Sequence, residues 1–211
     1  GESPHYFSTW LEGDTPGAIA LLTGDGYLPT RYGYGMVRSL HKPLPYAPLP
    51  PGVEIRPVTP EHYRRIWEAD REAFRDHFGY VAPTELDYQA WLEDPMTFRP
   101  DLWQVAWDIE SGEVAGQVRS FINTEENAKL NRSRGWTEFI STRRPWRRQG
   151  LARALLVRSM EVLQQHQIEE AALGVDAENP NGALQLYQDV GFEIEMQSTR
   201  YQRPVYRQPA Y

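Results

Sequence analysis

The chain has 211 residues with 22 basic and 29 acidic side chains, a formal net charge of −7. This size predicts one full domain with an appended segment, and the acidic balance argues against nucleic-acid or anionic-membrane binding. The absence of cysteine excludes disulfides and cysteine-based metal sites, and the five histidines show no helical ligand spacing, so no metal is expected.

A segment near the N-terminus, 17–27, matches segment 182–192 without a gap, each residue aligning with the one 165 positions further on. Both segments begin with Gly-Ala and end with glycine followed by an aromatic residue, the pattern of a helix closed by a glycine cap. We interpret residues 1–45 as the closing portion of a first copy of a repeated domain; a chance match of common residues is the alternative. Leu22 stands in that copy where Tyr187 stands in the second, so no phenol-dependent step is expected there.

A proline-rich stretch follows and predicts an extended connector. The segment from Lys42 to Pro60 contains seven prolines, the last being Pro60 itself, which disfavours both a helix and a central strand. We place a linker at residues 46–52 and a complete domain at residues 53–211.

The first part of this domain predicts a strand, two helices and two strands. Alternation of apolar residues predicts a strand over 53–58, and a proline in the first turn predicts a helix over 60–74. A second helix is expected over 84–93, followed by strands over 103–107 and 114–122.

The polar segment Asn123–Arg134 lacks periodicity and predicts a mobile loop. The remaining elements expected are a strand over 136–142, an amphipathic helix over 150–166, a strand over 171–175, a helix over 181–189, and strands around Phe192 and over 200–205. This order predicts a mixed α/β sheet.

The segment between the strand 136–142 and the following helix has the composition of an anion site. A turn feeding a helix N-terminus exposes unpaired backbone amides at the positive end of the helix dipole. Gly150 and Ala152 let a phosphate approach, although a solvated helix cap is the alternative interpretation. Neither Gly-Lys-Ser/Thr nor Gly-x-Gly-x-x-Gly is present, so a nucleoside triphosphate P-loop and a dinucleotide-binding loop are both excluded. Four arginines that can neutralise phosphate charge lie in the same turn: Arg143, Arg144, Arg147 and Arg148.

Two motifs together resemble the GNAT superfamily of acyl-CoA-dependent N-acyltransferases. Arg147-x-x-Gly150-x-Ala152 is similar to the pyrophosphate-binding turn of that family, with Ala152 in place of the commoner second glycine. The stretch Asn179–Phe192 resembles its closing motif, and the element order agrees over residues 53–205. Because the closing motif occurs twice, the chain also resembles the tandem two-domain members.

The resemblance implies an α/β fold with a mixed, mostly antiparallel sheet flanked by helices, in which two strands splay apart in a V. It also implies a partial second copy at the N-terminus, and acetyl-CoA as the cofactor. The turn and backbone groups of the preceding strand would hold acetyl-CoA. The cofactor-binding residues expected on this basis are Ile140, Thr142, Arg147, Arg148, Gln149, Gly150, Leu151, Ala152, Arg153 and Asn179.

An acetyl thioester held there needs a polarised carbonyl, a neutral amine and a proton for the leaving thiolate. The backbone amide of Ile140 or its neighbour is expected to polarise the carbonyl, and Tyr187 to protonate the sulfur. Glu138 is the candidate base, because two-residue spacing places it on the same strand face as Ile140. An exposed sheet glutamate and a structural tyrosine are the alternatives. Other carboxylates at strand ends are Asp108, Asp176 and Glu178.

The sequence thus predicts an N-acetyltransferase that moves acetyl from acetyl-CoA to a primary amine, of a small molecule or a peptide, by direct attack in a ternary complex. A non-catalytic acyl-CoA-binding regulatory module is one alternative, and an interaction protein whose proline-rich segment binds aromatic grooves is another. No apolar run reaches the roughly 18 residues of a membrane span, and no signal peptide begins the chain. A cytoplasmic protein with no membrane partner is therefore expected.

Overall fold

The computed structural model describes residues 5–76, 80–178 and 182–205. The helices and strands, in chain order, are β1 Tyr6–Glu12, α1 Pro16–Gly24, β2 Leu28–Ser39, β3 Val53–Ile55, α2 Tyr63–Ala73, α3 Glu85–Leu92, β4 Trp103–Asp108, β5 Val114–Phe121, α4 Thr124–Leu130, β6 Arg134–Thr142, α5 Leu151–Gln165, β7 Glu170–Asp176, α6 Ala183–Asp189 and β8 Glu193–Pro204. The predicted mixed α/β architecture is confirmed.

The chain divides into two compact units, a larger one of residues 38–173 and a smaller one of residues 1–37 with 174–211. The predicted linker at 46–52 lies inside the larger unit. There Arg38 Nη2 donates to the carbonyl oxygen of Pro43 at 2.7 Å, which ties down the start of the proline-rich stretch.

The larger unit buries two apolar clusters, one associated with α5 and the other with α2. β3, β4, β5 and β6 pair antiparallel in that order. β4 alternates between the clusters, because Val105 and Trp107 pack with Ile66 of α2 whereas Ala106 packs with Leu155 of α5. The predicted amphipathic stripe on the long helix is therefore a core-facing surface.

The ladder between β6 and β7 is parallel and short. It pairs Arg134–Trp136 with Glu170–Ala172, whereas β6 continues through Thr142. The early end of this ladder agrees with the predicted splay of two strands.

β8 is the central strand of the smaller unit. β1 and β2 both pair with it antiparallel. The two closing strands expected around Phe192 and over 200–205 are one continuous strand, because neither glycine nor proline interrupts residues 193–203.

Two helix–turn–strand segments of this unit share the same local geometry. Gly26 follows α1 and Gly191 follows α6, and both adopt left-handed backbone angles, with φ of +82° and +92°. The amide of Tyr27 donates to the carbonyl of Leu22 at 2.9 Å, and the amide of Phe192 donates to that of Tyr187 at 3.0 Å. The matched sequence segments therefore close their helices through hydrogen bonds between equivalent residues.

The register of β2 against β8 follows the same equivalence. Gly33 lies opposite Ser198, the residue 165 positions further on. Tyr32 lies opposite Thr199, and Tyr34 lies opposite Gln197. The pairing is thus symmetric about Gly33 and Ser198. Tyr32 and Gln197 are equivalent positions of the two segments, as are Tyr34 and Thr199, so exchanging the two strands turns one pair into the other.

The loop predicted over Asn123–Arg134 is wrong, because residues Thr124–Leu130 form α4. Capping determines this short helix, whereas apolar periodicity does not. Asn123 Oδ1 accepts the amide of Glu126 at 3.0 Å, and Asn131 closes the helix in a left-handed conformation with φ of +48°.

Candidate active site

A β-bulge interrupts β6 next to Ile140, where a backbone amide is expected to polarise the thioester carbonyl. Glu138 pairs with Arg119, and Ser141 pairs with Gln117. Two residues of β6 therefore lie between these pairs where β5 has only one. Phe139 has a φ of +50°, which a bulky residue rarely adopts. The extra residue of a bulge leaves the regular ladder, so backbone groups at Phe139 and Ile140 are released from strict pairing with β5.

The bulge contradicts the prediction that Glu138 lies on the same strand face as Ile140. Ile140 packs against the apolar cluster that contains Leu155 of α5. Glu138 instead lies opposite Arg119 in the ladder between β5 and β6. Paired residues of antiparallel strands point to the same side of the sheet, and the Arg119 guanidinium points to α2, where it donates to Asp70. Glu138 and Ile140 therefore do not share a face, because the inserted residue shifts the alternation of side chains by one position.

The turn after β6 presents an open backbone surface. Arg148 and Gly150 both adopt left-handed conformations, with φ of +63° and +83°. A Cβ added to Gly150 would meet nothing within 4 Å, and Gly150, the N-cap residue of α5, makes no side-chain capping hydrogen bond. The first amides of α5 have no intrahelical partners, so they remain available to an anion at the positive helix end.

Two of the turn arginines bind groups of the protein itself. Arg143 contacts Glu72 at 2.8 Å and Glu113 at 2.9 Å. Arg147 donates through Nε to the carbonyl of Thr142 at 2.9 Å and through Nη2 to that of Ala73 at 3.2 Å. These bonds join the turn to the C-terminal end of α2.

The other expected cofactor-binding residues divide by exposure. Arg148 and Gln149 are exposed, and Gln149 Nε2 donates to the carbonyl of Pro145 at 3.0 Å. The side chain of Leu151 is 1 % exposed and belongs to the core, so only its amide can face a ligand. The rest are half-buried positions at either end of the turn, Ile140, Thr142, Ala152 and Arg153. Asn179 lies outside the described residues.

Tyr187, the candidate acid, is 7 % exposed on α6 of the smaller unit. Its ring centroid lies 6.4 Å from that of Phe192 in an edge arrangement. This burial gives the ring a fixed position, as a positioned proton donor requires.

The other candidate carboxylates have partners that explain them structurally. Asp108 Oδ1 accepts the amide and hydroxyl of Ser111 at 2.8 and 2.7 Å, and Oδ2 accepts Trp146 Nε1 at 3.2 Å. The bonds from Ser111, with that from Trp146, lower the pKa of Asp108. Asp176 and Glu178 lie within 2.5 and 3.7 Å of the Arg31 guanidinium.

Sequence reasoning missed a buried ion pair beneath the bulge. Arg119 on β5 and Asp70 on α2 are 2 % and 0 % exposed, and Arg119 Nη2 donates to Asp70 Oδ2 at 3.0 Å. Burial lowers the pKa of Arg119, opposed by the carboxylate. A signal was present, because Asp70 follows Ile66 and Trp67 at helical spacing on the apolar face of α2.

The described residues place no three His, Asp or Glu side chains together in a way that could hold a metal ion. Within the same ranges, none of the helices has both the length and the apolar character needed to cross a bilayer.

The larger unit is thus a mostly antiparallel α/β domain in which a bulged strand leads into an open helix N-terminus. The chain belongs to the acetyltransferase (GNAT) family, whose model matches residues 63–192. The predicted family and the mostly antiparallel α/β fold class are confirmed, whereas the tandem arrangement and the partial N-terminal copy stay predictions.

Curated relatives extend the similarity over most of the chain. Mycothiol acetyltransferases of Salinispora arenicola and Thermobispora bispora are 28% and 29% identical and cover 92% of this chain. The chain spans 62% and 64% of their lengths, so it corresponds to less than two thirds of either relative.

Solved structures agree with this assignment. A GCN5-related N-acetyltransferase from Sphaerobacter thermophilus has a TM-score of 0.79 and 27% identity, over 98% of this chain and 62% of that one. A tandem GNAT protein from the clavulanic acid biosynthesis pathway shares the fold at 14% identity, with a TM-score of 0.68 over 96% of this chain and 65% of that one.

Proposed function

We propose that this chain carries an acetyl-CoA-dependent N-acetyltransferase that transfers acetyl to a primary amine by direct attack in a ternary complex. The observation that carries the proposal is the open turn at residues 148–153, which follows the bulged strand β6. Membership of the acetyltransferase (GNAT) family supports the same reaction class.

The residues of the turn fit the diphosphate of CoA. Such a group needs several convergent N–H donors and backbone that it can approach closely. The uncapped amides at the start of α5 meet the first requirement, and the space beside Gly150 meets the second. Arg148 is exposed and adds a positive charge that can pair with a phosphate.

Acetyl-CoA supplies an activated thioester, and transfer forms a C–N bond while the C–S bond breaks. We assign to a backbone amide at Phe139 or Ile140 a hydrogen bond to the thioester oxygen, which accumulates negative charge during attack. Glu138 remains the candidate base that removes a proton from the amine, directly or through water. Tyr187 is the candidate acid that gives a proton to the departing thiolate.

The acceptor that we propose is a small-molecule amine. The curated relatives are named for acetylation linked to mycothiol, a small molecule, which supports this class over a peptide. The net charge of −7 favours a cationic acceptor through long-range attraction.

The chain suits a direct test because it contains no cysteine, so every thiol released in the assay comes from CoA. We expect thiol release when the protein is mixed with acetyl-CoA and one member of a panel of amines comprising an amino sugar, an amino-acid amide, a polyamine and a peptide N-terminus. Tyr187→Phe should lower kcat by about 10²-fold, because general acid assistance to sulfur is lost. Tyr201→Phe is the matched control, since Tyr201 is also buried, at 6 % exposure, in the same unit.

Thermal stability in the presence of acetyl-CoA separates the alternatives. A raised Tm without thiol release from any amine would favour the non-catalytic acyl-CoA-binding module. No change in Tm and no release would contradict cofactor binding altogether.

We further propose that residues 1–45 are the closing portion of a first GNAT-like repeat and that residues 53–211 form the second, complete domain. Three features support this: the sequence match at an offset of 165, the equivalent caps at Gly26 and Gly191, and the symmetric register of β2 on β8. Leu22 at the position of Tyr187 makes the first copy incompetent for the phenol-dependent step.

A further inference from the structure

Phe139 holds a backbone conformation that its own side chain disfavours. Its φ of +50° lies in the left-handed region, which glycine adopts freely and bulky residues rarely do. Aromatic residues favour extended strands, so the local sequence does not select this conformation. Such a residue persists only where the surrounding structure fixes it.

The guanidinium of Arg119 lies against the Phe139 ring. Arg119 Cζ is 4.3 Å from the centroid of that ring, 5.4 Å from that of Trp91 and 5.7 Å from that of Trp103. Asp70 Oδ2 accepts from Arg119 Nη2 at 3.0 Å. A planar cation enclosed by three rings and one carboxylate has a single favourable orientation, so it forms a rigid surface for Phe139.

Stability alone does not explain this ion pair. Asp70 Oδ1 and Arg119 Nε are buried without a hydrogen-bond partner in the described part of the chain. Removing both charges from water opposes their attraction, and apolar side chains of similar volume often stabilise a core equally well. Arg119 pairs across the strands with Glu138, the residue directly before the bulge, so a role at the bulge accounts for its position.

We propose that Arg119 is a positioning residue of the transfer site: it holds Phe139 in the left-handed conformation and thereby orients the bulge amides toward the thioester. This inference rests on the proposed function. Asp70 acts one step further away, because it fixes the guanidinium rather than the ring.

The test is a double-mutant cycle that joins the ion pair to the conformation of residue 139. Asp70→Asn with Arg119→Met removes both buried charges together. Arg71 also donates to Asp70 Oδ2, but its side chain is half-exposed, so water can take over that contact. We expect this variant to keep its affinity for acetyl-CoA within about threefold and to lose roughly 10²-fold in kcat, the effect of a small misplacement at a reacting centre. Phe139→Gly adopts the left-handed conformation without support, so in its background the same double change should cost less than about threefold.

Gln117→Met is the matched control. Gln117 is 0 % exposed on the same face of β5, and its Nε2 donates to the carbonyl of Ile66 at 3.1 Å. We expect this change to alter Tm but not kcat, because the hydrogen bond that it removes goes to the backbone of α2. Arg119→Lys keeps the charge and loses the planar contact with the Phe139 ring, so it should give an intermediate loss of kcat. This variant replaces the double variant in the test if the double variant does not fold.

Three outcomes would overturn the inference. The first is an unchanged kcat in the double variant or, if that variant does not fold, in Arg119→Lys. The second is a loss of kcat that is equal with and without Phe139→Gly. The third is a variant crystal structure in which φ at residue 139 is still positive. The crystal structure reads the backbone independently of turnover. If the parent protein is inactive, the proposed function is contradicted. The crystal structure of the variant still tests whether Arg119 supports the bulge.

Discussion

Side-chain alternation along a strand is reliable only while the backbone stays extended. At Phe139 the backbone turns to a φ of +50°, and the residues on either side face different helices. Glu138 stays a candidate because it lies directly before the bulge, one residue from the amide of Phe139 and two from that of Ile140, which are expected to bind the thioester oxygen. Its assignment as the base is open to direct measurement.

Glu138→Gln removes the carboxylate with little change of volume. If Glu138 takes the proton from the amine, kcat/KM should fall by 10²- to 10⁴-fold, and the acidic limb of the pH–rate profile should disappear, because protonation of Glu138 no longer limits the rate. The affinity for acetyl-CoA, measured by calorimetry, should stay the same.

Glu54→Gln is the control for this change, since Glu54 is a strand glutamate of the same unit that pairs with Arg56 at 2.6 Å. An acidic limb that persists in Glu138→Gln would assign the base to another group.

At the scale of elements, the turn between β6 and α5 combines two kinds of arginine. Arg147 is tied to the carbonyls of Thr142 and Ala73, whereas Arg148 is exposed beside Gly150. The first kind fixes the turn to α2, and the second is the one that we propose to pair with a phosphate. The sequence motif alone treats both as phosphate ligands.

Alanine substitutions should separate these roles. Arg148→Ala is expected to weaken acetyl-CoA binding by about fivefold at low salt, with a smaller effect at high salt, because an exposed charge pair is lost. The same change should leave the binding of acetyl-pantetheine, which lacks the diphosphate, unaltered.

Arg147→Ala should instead lower the free energy of unfolding by about 1–2 kcal/mol in denaturant titrations, since two carbonyls lose a charged donor. A loss of stability in Arg148→Ala and none in Arg147→Ala would reverse the assignment.

The elements with strong local signals were predictable and the others were not. The apolar stripe of α5 identifies that helix directly from sequence. α4 was missed because its signals are caps rather than periodicity. The bulge at Phe139 has no local signal at all, because the packing around Arg119, distant in sequence, selects a conformation that phenylalanine disfavours.

At the scale of the whole chain, the first and last elements come together around β8, which pairs with β1 on one side and β2 on the other. The repeat proposed from sequence would make β2 and β8 equivalent strands that pair with each other. The register agrees with this, since Tyr32 opposite Thr199 and Tyr34 opposite Gln197 are mates of one symmetric arrangement. Symmetric mates should behave alike in any measurement that depends on local geometry.

Engineered disulfides test that expectation on a background free of native cysteine. Paired residues of antiparallel strands lie at Cα separations that a disulfide can bridge. Tyr32→Cys with Thr199→Cys, and Tyr34→Cys with Gln197→Cys, should therefore oxidise to similar extents. Each should raise the free energy of unfolding by at most about 4–5 kcal/mol over its reduced form, because the crosslink closes a long loop. The diagonal combination Tyr32→Cys with Gln197→Cys spans about 7–8 Å and should oxidise poorly. Efficient oxidation of the diagonal pair alone would mean that β2 and β8 are shifted from the symmetric register, which would remove the strongest structural support for the proposed repeat.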